Sequence, residues 1–288
     1  MTPRALPTLW TVRTPTGARS CRREGDTFVS ASTPWLRERV SLLRLFVGND
    51  FRARYRAQAL GVLWSLLQPL VMMAILSLVF TRAFRSTEPN FPIFLLLGLL
   101  VWQWVSSSLN AATLAFVANA ELVKRTVFPR VLLPMSSVLS YGINAGIESM
   151  ALVALIPFFP GAFHPGLSLV LVPVVLLLLV TLLSGAALAI AALNVIYRDV
   201  AYLVSTGLSI LYWLTPIVYP PTLLPDAWRE LFSWNPLYGI VTMLRGIVMH
   251  AEWPTLSAWI HLLVPTLVVL LAGTALFRRH EREMLDHV

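Results

Sequence analysis

Six long stretches without a charged side chain set the strongest limit on how this chain can fold. They cover residues 57–81, 91–120, 131–163, 166–197, 200–225 and 253–277, and only the third is interrupted, by Glu148. A transmembrane helix needs about 20 apolar residues, and each stretch is longer than that. Only 12% of the 288 residues are charged, against about 25% in a soluble domain. The sequence therefore predicts an all-α polytopic membrane protein with six transmembrane helices.

The basic residues indicate the orientation of these spans. Six crossings place both termini on one side, and eighteen of the 22 Lys and Arg residues lie on that side. By the positive-inside rule this side is cytoplasmic, so the basic residues face lipid phosphates and not nucleic acid. We expect a multi-pass protein of the cytoplasmic (inner) membrane with both termini in the cytoplasm. Residues 57–278 would form the six-span domain, and residues 279–288 a cytoplasmic tail.

The segment before the first span divides into two parts. Residues 1–33 are polar and lack the apolar core of a signal peptide, so we expect a disordered cytoplasmic N-terminus. Residues 34–56 begin after a favourable N-cap, Thr33, with proline as the first helical residue. Apolar residues then recur on one helical face, at Leu36, Val40, Leu43 and Val47. This pattern predicts an amphipathic interface helix on the inner leaflet or, alternatively, a helix packed on a soluble partner.

Three arginines, Arg52, Arg54 and Arg56, lie within five residues at the start of the first span. A planar guanidinium can bind a phosphate through two parallel hydrogen bonds. The cluster is therefore predicted to contact a lipid phosphate or pyrophosphate. The alternative is that these side chains only anchor the helix end at the anionic inner surface of the membrane.

Residues 119–130 form a compact loop between the second and third spans and are predicted to contain a short helix that ends before Phe128-Pro129. Its ends are marked by residues of suitable charge or capping ability, namely Asn119, Glu121, Lys124 and Arg125. Such a helix would present Leu122 and Val123 to the cytoplasm, as a docking surface for a soluble subunit requires. The alternative is a plain connecting loop.

Aromatic and acidic residues in the spans each allow two interpretations. Most of the ten Trp and seven Tyr side chains are expected in interfacial belts. A glycan channel, however, needs flat faces on which sugar rings can stack and slide. The candidates for channel-lining aromatics are Trp64, Tyr141, Tyr212, Trp213 and Tyr219.

Glu148, an acid at membrane depth, either lines a wet channel or pairs with a polar neighbour such as Asn144.

Several kinds of site are absent from the sequence. A P-loop needs a glycine-rich run before Lys and then Ser or Thr, whereas the single lysine, Lys124, is followed by Arg125. The five histidines have no metalloprotease spacing, and Cys21 is the only cysteine. We therefore expect no catalytic residue, no metal site and no cofactor in this chain, and any ATP must be bound by another protein.

Five short motifs, in order along the chain, resemble one family. They are Asp50-x4-Tyr55-x4-Leu60-Gly61-x2-Trp64, Leu122-Val123-Lys124 with Phe128-Pro129-Arg130, Asn194-Val195-x-Tyr197-Arg198-Asp199, Leu214-Thr215-Pro216-Ile217-Val218-Tyr219-Pro220, and Trp234-Asn235-Pro236 with Arg245. Together they resemble the permease subunits of ABC exporters for lipid-linked cell-surface polysaccharides such as O-antigen, teichoic acid and capsule.

The resemblance implies a homodimer of permeases with two copies of a separate ATPase, which binds ATP and magnesium. It implies that residues 119–130 are the coupling helix, with a second ATPase contact at the turn after the fourth span. The coupling residues would be Asn119, Glu121, Leu122, Val123, Lys124, Arg125, Arg198 and Asp199. Residues 222–246 would form two re-entrant gate helices, and the outer gate would include Pro216, Pro220, Asn235, Pro236 and Arg245.

Two other functions remain open from the sequence. One is an ABC exporter of a small hydrophobic substrate or drug with the same architecture. The other is a membrane enzyme that acts on polyprenyl-linked sugars. Such an enzyme would need convergent acids, whereas Asp50, Glu121 and Asp199 lie on separate loops.

Overall fold

A computed structural model describes residues 34–56, 61, 63–82, 89–125 and 128–281, and every regular element within these ranges is helical. The predicted disordered segment, residues 1–33, lies outside them, as does most of the predicted tail. The α-helices are α1 Pro34–Tyr55, α2 Leu63–Arg82, α3 Phe91–Ala118, α4 Ala120–Arg125, α5 Leu132–Leu155, α6 Val172–Ile196, α7 Val200–Leu214, α8 Asp226–Ser233, α9 Pro236–His250 and α10 Leu256–His280. Short 3₁₀ turns occur at Ile156–Phe158, Leu167–Leu171 and Pro221–Leu223.

Five helices in the described ranges are long and apolar enough to cross a membrane: α2, α3, α5, α6 and α10. The all-α polytopic architecture is thus confirmed. The predicted fifth span, residues 200–225, differs, because its helix α7 has only 15 residues, or about 22 Å of length. Thr215 has an extended backbone, as expected for a residue before proline. The chain between Pro216 and Pro225 continues as turns instead of a helix.

Helix α3 forms the centre of the bundle and contacts α2, α5, α6, α7 and α9. Its buried face is rich in Leu, Val and Ala, and its small polar residues bond to their own helix. For example, the Thr113 hydroxyl donates to the Leu109 carbonyl at 2.7 Å. Because such groups find partners locally, α3 can be buried along most of its length without a loss of hydrogen bonds.

Helices α6 and α10 approach each other closely at a pair of glycines. A Cβ added to Gly273 would lie 1.9 Å from the Gly185 carbonyl oxygen, and one added to Gly185 would lie 2.5 Å from the Leu270 Cα. Small residues at such a crossing let the two backbones meet, which is a common way of packing helices in a membrane.

The predicted interface helix is confirmed as a helix, α1, which begins at Pro34 as the sequence predicts. Its second half packs along α5. Val47 is buried, and the Phe46 ring lies 5.5 Å from the Phe128 ring, measured between centroids. Val40 and Leu45 remain exposed, so α1 keeps apolar surface that is available to lipid.

Candidate functional site

A cavity of about 790 Å³ opens between α2, α3 and α7. We call it the aromatic groove, and its aromatic and amide side chains are Trp64, Gln68, Phe80, Trp102, Gln103, Tyr212 and Trp213. The rest of the lining is aliphatic apart from Pro69. The groove therefore combines flat apolar faces with two neutral amides and contains no charged side chain.

Three of the predicted channel-lining aromatics, Trp64, Tyr212 and Trp213, share this groove. Ring contacts connect part of the set: Trp102 and Tyr212 lie 5.3 Å apart, and Tyr212 and Trp213 lie 5.4 Å apart, both edge to face. Tyr219 is joined to the set through its hydroxyl, which donates to the Trp213 carbonyl at 2.7 Å. Trp213 is 64% exposed, so its ring is available to a ligand.

Tyr141 does not lie in the groove. The guanidinium carbon of Arg54 lies over the Tyr141 ring, 3.5 Å from its centroid, and Arg54 Nη2 donates to the Ser140 hydroxyl at 3.2 Å. The Tyr55 hydroxyl donates to Asn144 Oδ1, and Asn144 Nδ2 donates to Glu148 Oε1 at 2.6 Å. We call this contact of α1 with α5 the polar seam. Glu148 belongs to the seam and is 2% exposed, so it does not line the groove.

The arginine cluster is divided by the structure. Arg52 and Arg56 are exposed and line a recess of about 650 Å³ with Asn49, Phe51, Ala53 and Tyr55, which we call the basic recess. Arg52 Nε donates to the Gly48 carbonyl at 3.1 Å. Arg54 is absent from this lining, because its side chain turns towards α5.

One acid near the recess has a perturbed ionisation. Burial raises the pKa of the Asp50 carboxyl above its usual value, and the Arg54 charge and the Ser137 hydroxyl only partly oppose this effect. Within the described ranges, no group of three or more His, Cys, Asp or Glu side chains is placed to hold a metal ion.

The short helix predicted in the 119–130 loop is observed as α4. Glu121 and Lys124 are exposed on it, and Leu122 is half-buried. Val123 differs from the prediction: it is 4% exposed and packs with the core residues Phe116 and Phe277. Because α4 lies flat against the bundle, one of its faces must point inward. The Arg125 side chain lies outside the described part of the chain.

Asn119 also differs from the prediction that it caps α4 through its side chain. Its amide Nδ2 donates back to the Ala115 carbonyl at 2.8 Å, where α3 ends. Its backbone carbonyl accepts from the Val123 N–H at 3.0 Å and so starts α4.

The two predicted coupling elements lie at the same end of the bundle. Arg198 and Asp199 form the exposed turn between α6 and α7. Arg198 and Ala120, the first residue of α4, line one recess of about 460 Å³. Asn194 fixes α6 to α3 there, because its Nδ2 donates to the Thr113 carbonyl at 2.8 Å. A soluble partner at this end could therefore touch both elements at once.

At the other end of α7, Arg245 is hydrogen-bonded to the backbone where the helix ends. It is 4% exposed. Its Nε donates to the Phe94 carbonyl at 3.0 Å, its Nη2 to the Ile217 carbonyl at 2.7 Å, and its Nη1 to the Pro216 carbonyl. Arg245 thus connects α9, α3 and the segment after α7. Pro216 and Pro220 are buried in that segment, and the 3₁₀ turn follows directly.

The predicted pair of short helices is observed as α8 and α9. Asn235 is the N-cap of α9, with its Oδ1 accepting from the Leu237 N–H at 3.0 Å, and Pro236 is the first residue of the helix. Asn235 Nδ2 also donates to the Thr215 hydroxyl at 3.3 Å. The start of α9 is therefore tied to the end of α7.

Comparison with known protein families decides the class of the chain. The model of the ABC-2 type transporter family matches residues 41–249, which include α2 to α8 and most of α1 and α9. The chain belongs to the ABC-2 type transporter membrane family. The resemblance drawn from the five motifs is confirmed, and the molecule is a membrane permease.

Curated relatives of this permease cover most of its length. It is 31% identical over 210 residues to the O-antigen export system permease protein RfbA of Klebsiella pneumoniae, a match that covers 73% of this chain and 80% of the relative. It is 30% identical over 249 residues to the O-antigen export system permease protein RfbA of Myxococcus xanthus, a match that covers 86% of this chain and 95% of the relative. It is 27% identical over 256 residues to the polysialic acid transport protein KpsM of Escherichia coli, a match that covers 86% of this chain and 96% of the relative.

Three residues that line the aromatic groove were not among the site residues predicted from sequence. Trp102, Gln68 and Gln103 line the aromatic groove, although nothing in their local sequence distinguishes them from other span residues. The pairing of Glu148 with Asn144, one of the two interpretations given from the sequence, is confirmed within α5. Arg245 was predicted as an outer-gate residue, but its three carbonyl partners depend on tertiary contacts. The local signals were an acid within an apolar stretch for Glu148 and the motif that begins at Trp234 for Arg245.

Proposed function

We propose that this permease is the transmembrane subunit of an ATP-driven exporter of a lipid-linked cell-surface polysaccharide. The relatives named for O-antigen export and polysialic acid transport support this substrate class. The aromatic groove is the observation that carries the proposal. Its exposed tryptophans and neutral amides suit a sugar chain, because the rings can stack without fixing the polymer in one register.

The basic recess serves the lipid-linked end of the substrate. Arg52 and Arg56 lie there with the amide of Asn49, and guanidinium groups bind phosphate through paired hydrogen bonds. Arg54 was predicted to be a third phosphate contact. Its contacts with Tyr141 and Ser140 favour a role in the packing of α1 on α5.

The permease crosses the inner membrane six times, with both termini in the cytoplasm. The fifth crossing consists of α7 and the segment that follows it, which together extend from Val200 to Pro225. Irregular backbone at membrane depth must be shielded or wet. The hydrogen bonds of Arg245 to the Pro216 and Ile217 carbonyls supply part of this shielding.

Two copies of the permease associate with two copies of a separate ATPase, which binds ATP and magnesium. Exposed apolar residues on α2 and α7, including Trp64, Ile75, Leu203 and Trp213, support a homodimer with the groove at its centre. The ATPase contacts Glu121, Leu122, Lys124 and the Arg198-Asp199 turn. Helices α8 and α9 form the outer gate together with Pro216, Pro220 and Arg245.

The first experiment is purification of the permease from its own cells in a mild detergent, followed by identification of the proteins recovered with it. We expect a P-loop ATPase at a one-to-one ratio. The control is a known ABC complex that stays intact in the same detergent. If the control stays intact and the permease is recovered alone, the exporter proposal is contradicted.

A second experiment separates a glycan substrate from a small hydrophobic one, which the apolar lining of the groove would also accept. The complex is reconstituted and its ATPase activity is measured with lipid-linked oligosaccharide extracted from the same cells and with a panel of hydrophobic drugs. We expect stimulation by the glycolipid alone. Stimulation only by drugs would support the alternative exporter.

A further inference from the structure

The polar seam extends deep into a membrane-spanning helix. Its members on α1 are Asp50, Arg54 and Tyr55, and its members on α5 are Ser137, Ser140, Tyr141, Asn144 and Glu148. The α5 residues recur every three or four positions and so share one face of the helix. Asn144 lies 12 residues after Leu132, which places it about 18 Å along the helix axis. Polar side chains at such a depth are costly unless they are paired.

The seam contains two buried atoms of opposite charge that have no hydrogen-bond partner within the described part of the chain. They are Arg54 Nη1 and Glu148 Oε2. The Arg54 guanidinium is also close enough to act electrostatically on the Glu148 carboxyl. A buried charge without a counter-charge is strongly unfavourable. Arg54 also acts on the Asp50 carboxyl at the near end of the seam, but its Nη1 and Glu148 Oε2 are the two seam atoms that remain without a hydrogen bond.

We propose that Arg54 and Glu148 are counter-charges across the seam, and that this pair positions α1 on α5 and so fixes where α1 presents Arg52, Arg56 and the basic recess that they line. The inference rests on the proposed phosphate-binding function of that recess. It assigns Arg54 and Glu148 the role of positioning residues that do not themselves contact the substrate.

The contacts of Arg54 support this separation of roles. One face of its guanidinium is covered by the Tyr141 ring, Nη2 is used by Ser140, and Nη1 is inaccessible to solvent. Arg52 and Arg56 are instead exposed. Only two of the three arginines are therefore available to an incoming phosphate.

The test uses the complete permease–ATPase complex in lipid nanodiscs, with a polyprenyl diphosphate as the probe. ATPase stimulation is measured for Arg54→Gln, Glu148→Gln and the double variant. We expect Arg54→Gln to lower the maximal stimulated rate at least tenfold, because it removes the positive charge that acts on the Glu148 carboxyl across the seam. The maximal stimulated rate of the double variant should lie within about threefold of the rate of the Glu148→Gln variant. Arg54→Lys, which keeps the charge, should recover part of the rate.

The half-saturating concentration of the diphosphate distinguishes positioning from binding. We expect Arg52→Gln and Arg56→Gln to raise it at least fivefold and the seam variants to change it less than twofold. Arg44→Gln and Glu38→Gln are matched controls, because both residues lie on α1 and are exposed. If Arg54→Gln cannot be recovered from membranes, recovery of the double variant supports the pairing.

Two results would overturn the inference. One is a double variant whose maximal stimulated rate falls by the product of the factors measured for the two single variants. A double variant that cannot be recovered from membranes, when Glu148→Gln can, has the same meaning. The other is an Arg54→Gln variant whose main defect is a raised half-saturating concentration. An unchanged half-saturating concentration in Arg52→Gln and Arg56→Gln would instead contradict the phosphate-binding proposal, and the double-variant comparison would still decide the pairing.

Discussion

The Arg245 guanidinium lies flat on the Phe94 ring, with its carbon 3.4 Å from the ring centroid. From this position it donates to carbonyls of α3 and of the segment after α7. A buried arginine that donates to carbonyl oxygens where a helix breaks acts as a helix cap. Its N–H groups donate to carbonyl oxygens that lack a backbone donor, because proline has no N–H and the turn interrupts the helix.

Replacement of Arg245 by Met should therefore destabilise the permease. Hydrogen bonds to a charged group contribute roughly 1.5–3 kcal/mol each, so the loss of several should cost about 3 kcal/mol or more. The measurement is the thermal unfolding midpoint in detergent. Arg229→Gln is the control, because Arg229 also bonds to two carbonyls but is only half-buried. Equal shifts in the two variants would contradict the special role of Arg245.

Gly98→Ala tests the same contact from the other side. A Cβ at this position would lie 2.5 Å from Arg245 Nη2 and 3.0 Å from the Ile217 carbonyl oxygen. The arginine would have to leave its carbonyl partners, so we expect a lower midpoint for Gly98→Ala. We also expect that Gly98→Ala adds little further loss in an Arg245→Met background. Fully additive losses would mean that the glycine matters for another reason.

Local features of the structure were predictable from the sequence. Pro34 starts α1, and Asn235-Pro236 starts α9, because helix starts depend on neighbouring residues alone. The long apolar stretches correctly indicated five spanning helices. The predicted fifth span, residues 200–225, is longer than its helix, because an apolar stretch does not show how far a helix extends; α7 ends just before Pro216, one of the prolines predicted in the outer gate.

Features that depend on tertiary contacts were not predictable in the same way. Val123 was expected at the surface, but its direction is set by how α4 lies on the bundle. Tyr141 was grouped with Tyr212 by residue type, whereas α1 covers it with Arg54. No pattern within one helix indicates which neighbour will cover a given face. The sequence therefore identified only some of the residues that line the aromatic groove, namely Trp64, Tyr212 and Trp213.

The glycine crossing of α6 and α10 gives a third stability prediction. Gly273→Ala places a Cβ where the Gly185 carbonyl now lies, so the two helices must separate. Overpacking of this kind costs typically about 1–3 kcal/mol. The check is a lower unfolding midpoint than that of Gly146→Ala, because Gly146 has open space around its Cβ position. An unchanged midpoint for Gly273→Ala would contradict the close approach.

The burial of Asp50 predicts a pH dependence of stability. Because burial raises its pKa in the folded state, the folded permease binds the proton more tightly than the unfolded chain does. The associated stability is present below the usual pKa of aspartate and is lost as pH rises through the raised value. The unfolding midpoint of Asp50→Asn should therefore fall less than that of the unmodified permease between acidic and neutral pH. The exposed Glu38→Gln variant is the control.

The aromatic groove predicts which tryptophans matter for export. Trp213→Ala should lower the export rate about fivefold, because an aromatic contact contributes roughly 1 kcal/mol to a bound or moving sugar. Trp213→Phe should keep most of the rate, because it retains a flat face. Export is measured as glycan that becomes accessible on the cell surface per unit of permease. Trp253→Ala is the control, because Trp253 is exposed but does not line the groove. Equal loss in both alanine variants would indicate a general surface effect.

The division of α4 into an outer and an inner face predicts two different failures. Leu122→Asp combined with Lys124→Asp changes a half-buried and an exposed residue, so the permease should reach the membrane but recover less ATPase on purification. Val123→Asp buries a charge in the core beside Phe116, so the amount of permease itself should fall. Quantitative blotting of membranes and of the purified complex separates the two effects. Normal ATPase recovery and export by the Leu122→Asp/Lys124→Asp variant would show that the outer face of α4 does not bind the ATPase.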